Sequence, residues 1–186
     1  MTGRSAVQGG ESAILGAVLA GGRSSRFGSD KALAELDGTP LIELAVRALG
    51  AACCQVIVVG RTGHLVPGVP DWPAPGMGPL GGIAGALRHA ADNGFAAVLT
   101  CGVDSPLLPG DLAARLAPGP AFVADQPVIG LWPAAALEAV EAILKGDGKH
   151  SMRALAEAVG ARPVALPEPP ANVNRPEDLA RLTRRP

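Results

Sequence analysis

Apolar positions along the chain fall into two alternating patterns. Residues 14–20 (ILGAVLA), 56–59 and 95–101 are short, nearly unbroken apolar runs, as expected of parallel strands buried on both faces. The first run leads into Gly21 and Gly22, so the strand there ends in a loop. Between the runs the spacing changes: Leu41, Leu44, Ala45 and Ala48 recur at helical intervals before Gly50, with Thr39 as N-cap and Pro40 in the first turn. A second helical stretch covers residues 80–91. Strand–helix–strand alternation of this kind predicts an α/β three-layer sandwich around a mainly parallel sheet.

Beyond Asp104 the pattern is less regular. A short helix is expected near residues 111–116, strands near 121–123 and 128–131, and helices over 135–144 and 151–159. The proline-rich stretch 163–170 predicts an edge strand, because proline cannot donate to a sheet ladder. Pro176 and Glu177 open a last helix. With no internal repeat and no long linker, residues 13–186 are expected to form a single domain behind a flexible N-terminal tail of residues 1–12.

Composition narrows the class. Hydrophobic residues make up 48% of the 186 and charged residues 18%, which excludes a disordered chain. A formal net charge of -1 gives no general attraction to polyanions, and aromatic-poor basic stretches make no stacking surface, so nucleic acid is not an expected partner. No apolar run approaches the roughly 20 residues that cross a bilayer, and the N-terminal sequence lacks a signal-peptide core. No membrane partner is expected either. The three cysteines, Cys53, Cys54 and Cys101, are odd in number and lack CxxC spacing, which suggests reduced thiols in a cytoplasmic protein.

The densest chemistry lies in LAGGRSSRFGSDKA, residues 19–32, where two glycines follow the first strand and Arg23, Arg26 and Lys31 share one loop. Glycine lets backbone N–H groups approach an oxygen-rich ligand, and successive N–H groups form anion-binding nests. Such a loop suits a triphosphate; a glycine-rich turn with solvated cations is the plainer alternative. Asp30 rather than glycine precedes Lys31, so this is not a Walker A loop, and GxGxxG is absent.

The segment resembles the signature LAGGxSxRMGxDKA of the molybdenum cofactor guanylyltransferases, the MobA-like nucleotidyltransferases, with Phe27 in place of the usual Met. The resemblance continues in order through GPLGGIAGAL (78–87), CGVDSPLLP (101–109), QPVIGLW (126–132) and NVNRPEDL (172–179). It implies a Rossmann-like fold of the nucleotide-diphospho-sugar transferase type. It also implies transfer of GMP from GTP to molybdopterin, giving molybdopterin guanine dinucleotide and pyrophosphate, with Mg2+ as cofactor. The partners implied are GTP, molybdopterin and, in transient contact, molybdoenzymes or other cofactor-biosynthesis proteins. The same sheet would also serve a cytidylyl- or uridylyltransferase acting on molybdopterin, a sugar phosphate or an isoprenoid precursor. A catalytically silent nucleotide-binding protein is the alternative of another class.

By that resemblance Leu19, Ala20, Gly21 and Gly22 hold the nucleotide through their backbone, and Lys31 lies along its phosphates with Arg26. Asp104 would be the metal ligand and, with Lys31 and Arg26, part of the catalytic apparatus; Asp71 and Gly78 would be further nucleotide contacts. Each has a plainer reading beside it. Lys31 could be a surface lysine, Asp104 the cap of the turn at Ser105–Pro106, and Asp71 a solvated turn residue. Gly78, Gly81, Gly82 and Gly85 could serve packing alone. Asn172 and Asn174 read equally as helix caps or as acceptor contacts. Trp72 and Trp132 could stack on a pterin or simply pack, Trp132 being the better stacking candidate. His64, His89 and His150 form no cluster and read as ordinary, mostly exposed residues. Two departures from the family pattern stand out: Val59 or Gly60 occupies the end of the second strand, where relatives often carry a polar residue, commonly Asn. The stretch between Val123 and Gln126 is short, and Gln126–Pro127 replaces a His-Pro.

Overall fold

A computed structural model describes residues 13–21, 30–62 and 65–183. The expected tail, Gly22, Arg23, Arg26 and His64 lie outside the described residues. The chain begins with β1 (Ile14–Leu19), followed by a 3-10 turn (Lys31–Leu33), β2 (Glu35–Leu36), β3 (Thr39–Pro40) and α1 (Leu41–Gly50). Next come β4 (Gln55–Val59), β5 (Gly68–Val69), α2 (Gly78–Asp92), β6 (Ala97–Gly102) and α3 (Leu112–Leu116). The last part holds β7 (Ala121–Val123), β8 (Gln126–Pro133), α4 (Ala136–Lys145), α5 (Met152–Ala158), β9 (Arg162–Val164) and α6 (Pro176–Thr183).

Seven strands form one sheet in the order β5-β4-β1-β6-β8-β7-β9, and β2 with β3 makes a separate hairpin. All sheet pairings are parallel except the two that β8 makes, against β6 and β7. The strands alternate their side chains between two cores, as the two-residue period of a strand requires. Leu15, Ala17, Ile57, Val59 and Val98 face α2, α4 and α5, whereas Val18, Val56, Val58, Leu99 and Cys101 face α1 and α3. This is the three-layer, mainly parallel sandwich expected from the sequence. The proline-bearing β9 lies at the sheet's edge, also as expected, although it starts at Arg162.

One local expectation fails. Thr39 does not cap α1; it pairs with Leu36 across the hairpin, and Pro40 occupies the cap position without a side-chain hydrogen bond. The cause is Asp37–Gly38, both at positive φ (51° and 76°), an Asp-Gly pair that reverses the chain in two residues. The Leu41 N–H then donates to the Ala34 carbonyl at 2.9 Å.

A third, small apolar cluster bears directly on the site. Leu36 on the hairpin, Leu41 on α1 and Val173 are buried together, with Val103, Leu179 and Leu182 packed against them. It binds the hairpin after Lys31, the loop before Asp104 and the C-terminal segment into one unit.

Candidate active site

Because β1, β4 and β6 are parallel, their carboxyl ends meet at one edge, where open α/β sheets receive ligands. Leu19 pairs with Val59 on one side and Gly102 on the other. The ladder runs on one residue further, with Ala20 N–H donating to Val59 O (2.9 Å) and Val103 N–H to Leu19 O (3.1 Å). Leu19 and Ala20 are half-buried at this edge and Gly21 is exposed.

Gly60, directly after β4, sits at φ 84°, and a Cβ there would lie 2.5 Å from Gly21 Cα. No side chain fits between the two backbones without a shift of one of them. The carboxylate of Asp71 closes over the same spot: a Cβ on Gly21 would lie 3.1 Å from its Oδ2, and one on Gly60 3.0 Å from its Oδ1. Asp71 Oδ2 also accepts from the Gly76 N–H at 3.3 Å, so the residue both ties its own loop and faces the end of β1. Gly78, exposed and at φ 68°, opens α2, and Met77 before it provides no side-chain cap. Gly85 and Gly81 serve close packing against the same loop: a Cβ on Gly85 would be 2.3 Å from Pro70 O, and one on Gly81 2.6 Å from Met77 Cβ. Gly60→Ala is expected to lose roughly 1–3 kcal/mol through overpacking and backbone strain, read by urea unfolding. An unchanged midpoint would show that the Gly21–Gly60 approach is not tight in solution.

Lys31, 73 residues before Asp104, extends its ammonium to Asp104 Oδ2 at 3.3 Å and to Asn174 Oδ1 at 3.4 Å. Lys31 is well covered, with 13% of its side chain exposed, against 37% for Asp104. Asp104 lies within a turn closed by backbone, Ser105 N–H donating to Gly102 O at 3.0 Å. The carboxylate therefore turns back over Gly102 and toward Lys31. A second set of bonds holds this loop to the C-terminal segment. Val173 N–H donates to Asp104 O (2.8 Å), the buried Ser105 hydroxyl donates to Gln126 Oε1 (2.8 Å), and Gln126 Nε2 donates to Pro170 O (2.5 Å).

Asp178 takes the capping bonds in place of the Asn174 side chain: its Oδ2 accepts from the N–H groups of both Asn174 and Arg175 at 2.9 Å. Asp178 satisfies the donors ahead of α6, and the Asn174 side chain meets Lys31 instead. Asn172 is exposed. Trp132 must be corrected: it is fully buried, stacks on Phe122 and donates from Nε1 to Thr100 Oγ1 at 3.0 Å. It cannot reach a pterin. Trp72 is half-buried, with the Arg88 guanidinium 4.1 Å over its ring and its Nε1 donating to Glu141 at 3.1 Å. His89 lies on the last turn of α2, at the opposite edge of the sheet, and His150 bonds Gly146 O.

Arg61, unnoticed in the sequence, forms a two-pronged ion pair with Asp30 (Nη1–Oδ1 2.9 Å, Nη2–Oδ2 2.5 Å). The guanidinium holds the Asp30 carboxyl below the usual carboxylate range. The only signal was an arginine immediately past a strand end. Burial, by contrast, pushes the Cys53 thiol up to about 12 and raises that of Cys101 as well. Neither is a thiolate nucleophile near neutral pH.

Residues 16–163 match the MobA-like NTP transferase domain family. The chain belongs to that family. The molybdenum cofactor guanylyltransferase of Rhodobacter capsulatus is 38% identical over 182 residues, spanning 92% of this chain and 96% of the relative. That of Acidiphilium cryptum is 34% identical over 178 residues, spanning 87% and 90%. Among solved structures, the molybdopterin-guanine dinucleotide biosynthesis protein A of Archaeoglobus fulgidus shares the fold, with a TM-score of 0.72 at 22% identity over 90% of this chain and 95% of that one. The family is one of nucleotidyltransferases, and the mainly parallel sheet is its central feature. Among the described residues no helix is long and apolar enough to cross a membrane.

Proposed function

We propose that the chain transfers GMP from GTP to molybdopterin, releasing pyrophosphate. The observation that carries this reading is the meeting of Lys31, Asp104 and Asn174 at the carboxyl edge of the sheet. The names of the relatives supply the identity of donor and acceptor. A phosphate oxygen of the acceptor attacks the α-phosphorus in line, the bond to the β-phosphate oxygen breaks, and pyrophosphate leaves. Catalysis of this kind rests on positioning and charge neutralisation rather than on a nucleophilic side chain.

In this reading the backbone of Leu19, Ala20, Gly21 and Gly22 holds the phosphates, Asp71 and Gly78 contact the nucleotide, and Lys31 and Arg26 neutralise charge on the departing group. Asp104 would hold Mg2+. Its half-exposed carboxylate fits that ion, which prefers one or two protein carboxylates and takes its other ligands from phosphates and water. Among the described residues no group of three His, Cys, Asp or Glu side chains forms a cage, as a zinc site would need. When bound, the ion would supply Lewis-acid neutralisation of the triphosphate. Transient contacts with molybdoenzymes and a cytoplasmic setting belong to the same proposal. So does a single domain over residues 13–186, supported by a sheet built from both halves of the chain.

Pyrophosphate release, measured with each of the four ribonucleoside triphosphates with and without molybdopterin, tests the reading. GTP with molybdopterin is expected to turn over fastest, and GTP to bind most tightly in direct titration. Faster turnover or tighter binding of CTP would move the chain to the cytidylyltransferases. Binding without release under any condition would make it a silent nucleotide-binding protein.

A further inference from the structure

Residues 22–29 are flanked by Gly21 and Asp30, and both flanking residues rest on one dipeptide at the end of β4. Gly21 lies against Gly60, where a Cβ would come within 2.5 Å of Gly21 Cα, and Asp30 is gripped by Arg61 through two hydrogen bonds. Asp30 has a second task. Its Oδ1 accepts from the Ala32 N–H at 3.2 Å and so caps the 3-10 turn on which Lys31 sits. That turn is one side of the Lys31–Asp104 contact.

We infer that Arg61 is a positioning residue for nucleotidyl transfer, fixing Asp30 so that the capped turn aims the Lys31 ammonium at the Asp104 carboxylate. The inference rests on the proposed role of Lys31. Arginine suits the task because its planar fork fixes direction as well as charge, which a lysine cannot do. The pair joins segments 31 residues apart in sequence, and only the side-by-side placement of β1 and β4 brings them together. The Arg61 side chain is 24% exposed and that of Asp30 43%, so the pair acts through the direction its two-pronged geometry sets rather than through burial. With its carboxyl held low by the guanidinium, Asp30 stays ionised throughout the neutral range and the strap persists there.

The test combines Arg61→Met, Lys31→Met and the double variant, each assayed for kcat and for KM with GTP. Misplacing a charge by about 1 Å costs on the order of 100-fold, so Arg61→Met is expected to lower kcat about 10- to 100-fold with little change in KM. Acting through Lys31, it has nothing left to position once the ammonium is gone. The double variant is then no slower than Lys31→Met alone. Multiplying effects, or a raised KM with kcat unchanged, would show Arg61 touching the nucleotide itself and overturn the inference. A second measurement needs no turnover, and so separates this inference from the proposed activity. The 13Cε resonance of Lys31, assigned by its loss in Lys31→Met, is expected to shift in Arg61→Met and to stay in place in Arg47→Met, which alters an exposed α1 pair. A Lys31 resonance that Arg61→Met leaves unmoved would remove the positioning role, whatever the enzyme's substrate.

Discussion

Asp104→Ala is expected to remove most metal-dependent turnover while leaving the fold in place. The fold is spared because the contacts that set this loop are not made by the carboxylate. Val173 N–H bonds the Asp104 carbonyl, and Ser105 keeps both its backbone turn and its link to Gln126. Only the ion pair with Lys31 is lost, and a pair with one partner over a third exposed contributes no more than about 1 kcal/mol. Circular dichroism and the urea midpoint are therefore expected to stay close to wild type. Turnover is another matter, since the proposed Mg2+ loses its protein anchor just where charge builds on the triphosphate. Losing about 3 kcal/mol of that stabilisation slows the reaction on the order of 100-fold. The deficit should be largest at limiting Mg2+ and shrink as the ion is raised, because phosphate oxygens and water still coordinate it. Asp104→Glu keeps the charge but moves it outward, and should fall between the two. Wild-type turnover by Asp104→Ala at limiting Mg2+ would reduce the residue to a turn element.

What the sequence disclosed here, and what it did not, follows from the range of the forces involved. Strands such as β1 and β4 were legible because burial on both faces demands an unbroken apolar run. The β2–β3 hairpin was not, because two-residue strands carry no period; only the Asp37–Gly38 turn marks it. Lys31 and Asp104 could each be picked out within a motif. Their meeting could not, because it depends on β6 lying beside β1. Arg61 went unseen for the same reason, its partner Asp30 being a neighbour only through the sheet. Trp132 shows the opposite error, a residue assigned chemistry because it stands in a motif. Its place opposite Val98 in the ladder turns the ring into the core beneath α2, where Thr100 takes its N–H. Asn174 read equally as a helix cap or as a contact to the acceptor substrate, and the residue that takes the capping bonds, Asp178, lay four positions on.

Lys31→Met is expected to lower turnover more than it lowers nucleotide affinity. An interaction that strengthens only as negative charge moves onto the departing pyrophosphate lowers the barrier without tightening the ground state. The ammonium already sits at 3.3 Å from Asp104 Oδ2 and 3.4 Å from Asn174 Oδ1, held in place before any substrate arrives. A preorganised donor of this sort is worth on the order of 100- to 1000-fold in turnover. Methionine is the informative replacement because it keeps most of the stem that covers the site and deletes only the charge. Affinity for GTP should fall far less, since the backbone N–H groups after β1 and the bound Mg2+ still engage the phosphates in the proposed site. The variant also leaves Asp104 without its cation. Turnover is therefore compared at saturating Mg2+, so that a changed affinity of this carboxylate for the ion does not enter the result. Turnover and the GTP dissociation constant, measured side by side, decide the matter. Equal losses in both would mean that Lys31 binds substrate and transition state alike, and no loss in either would place it outside the reaction.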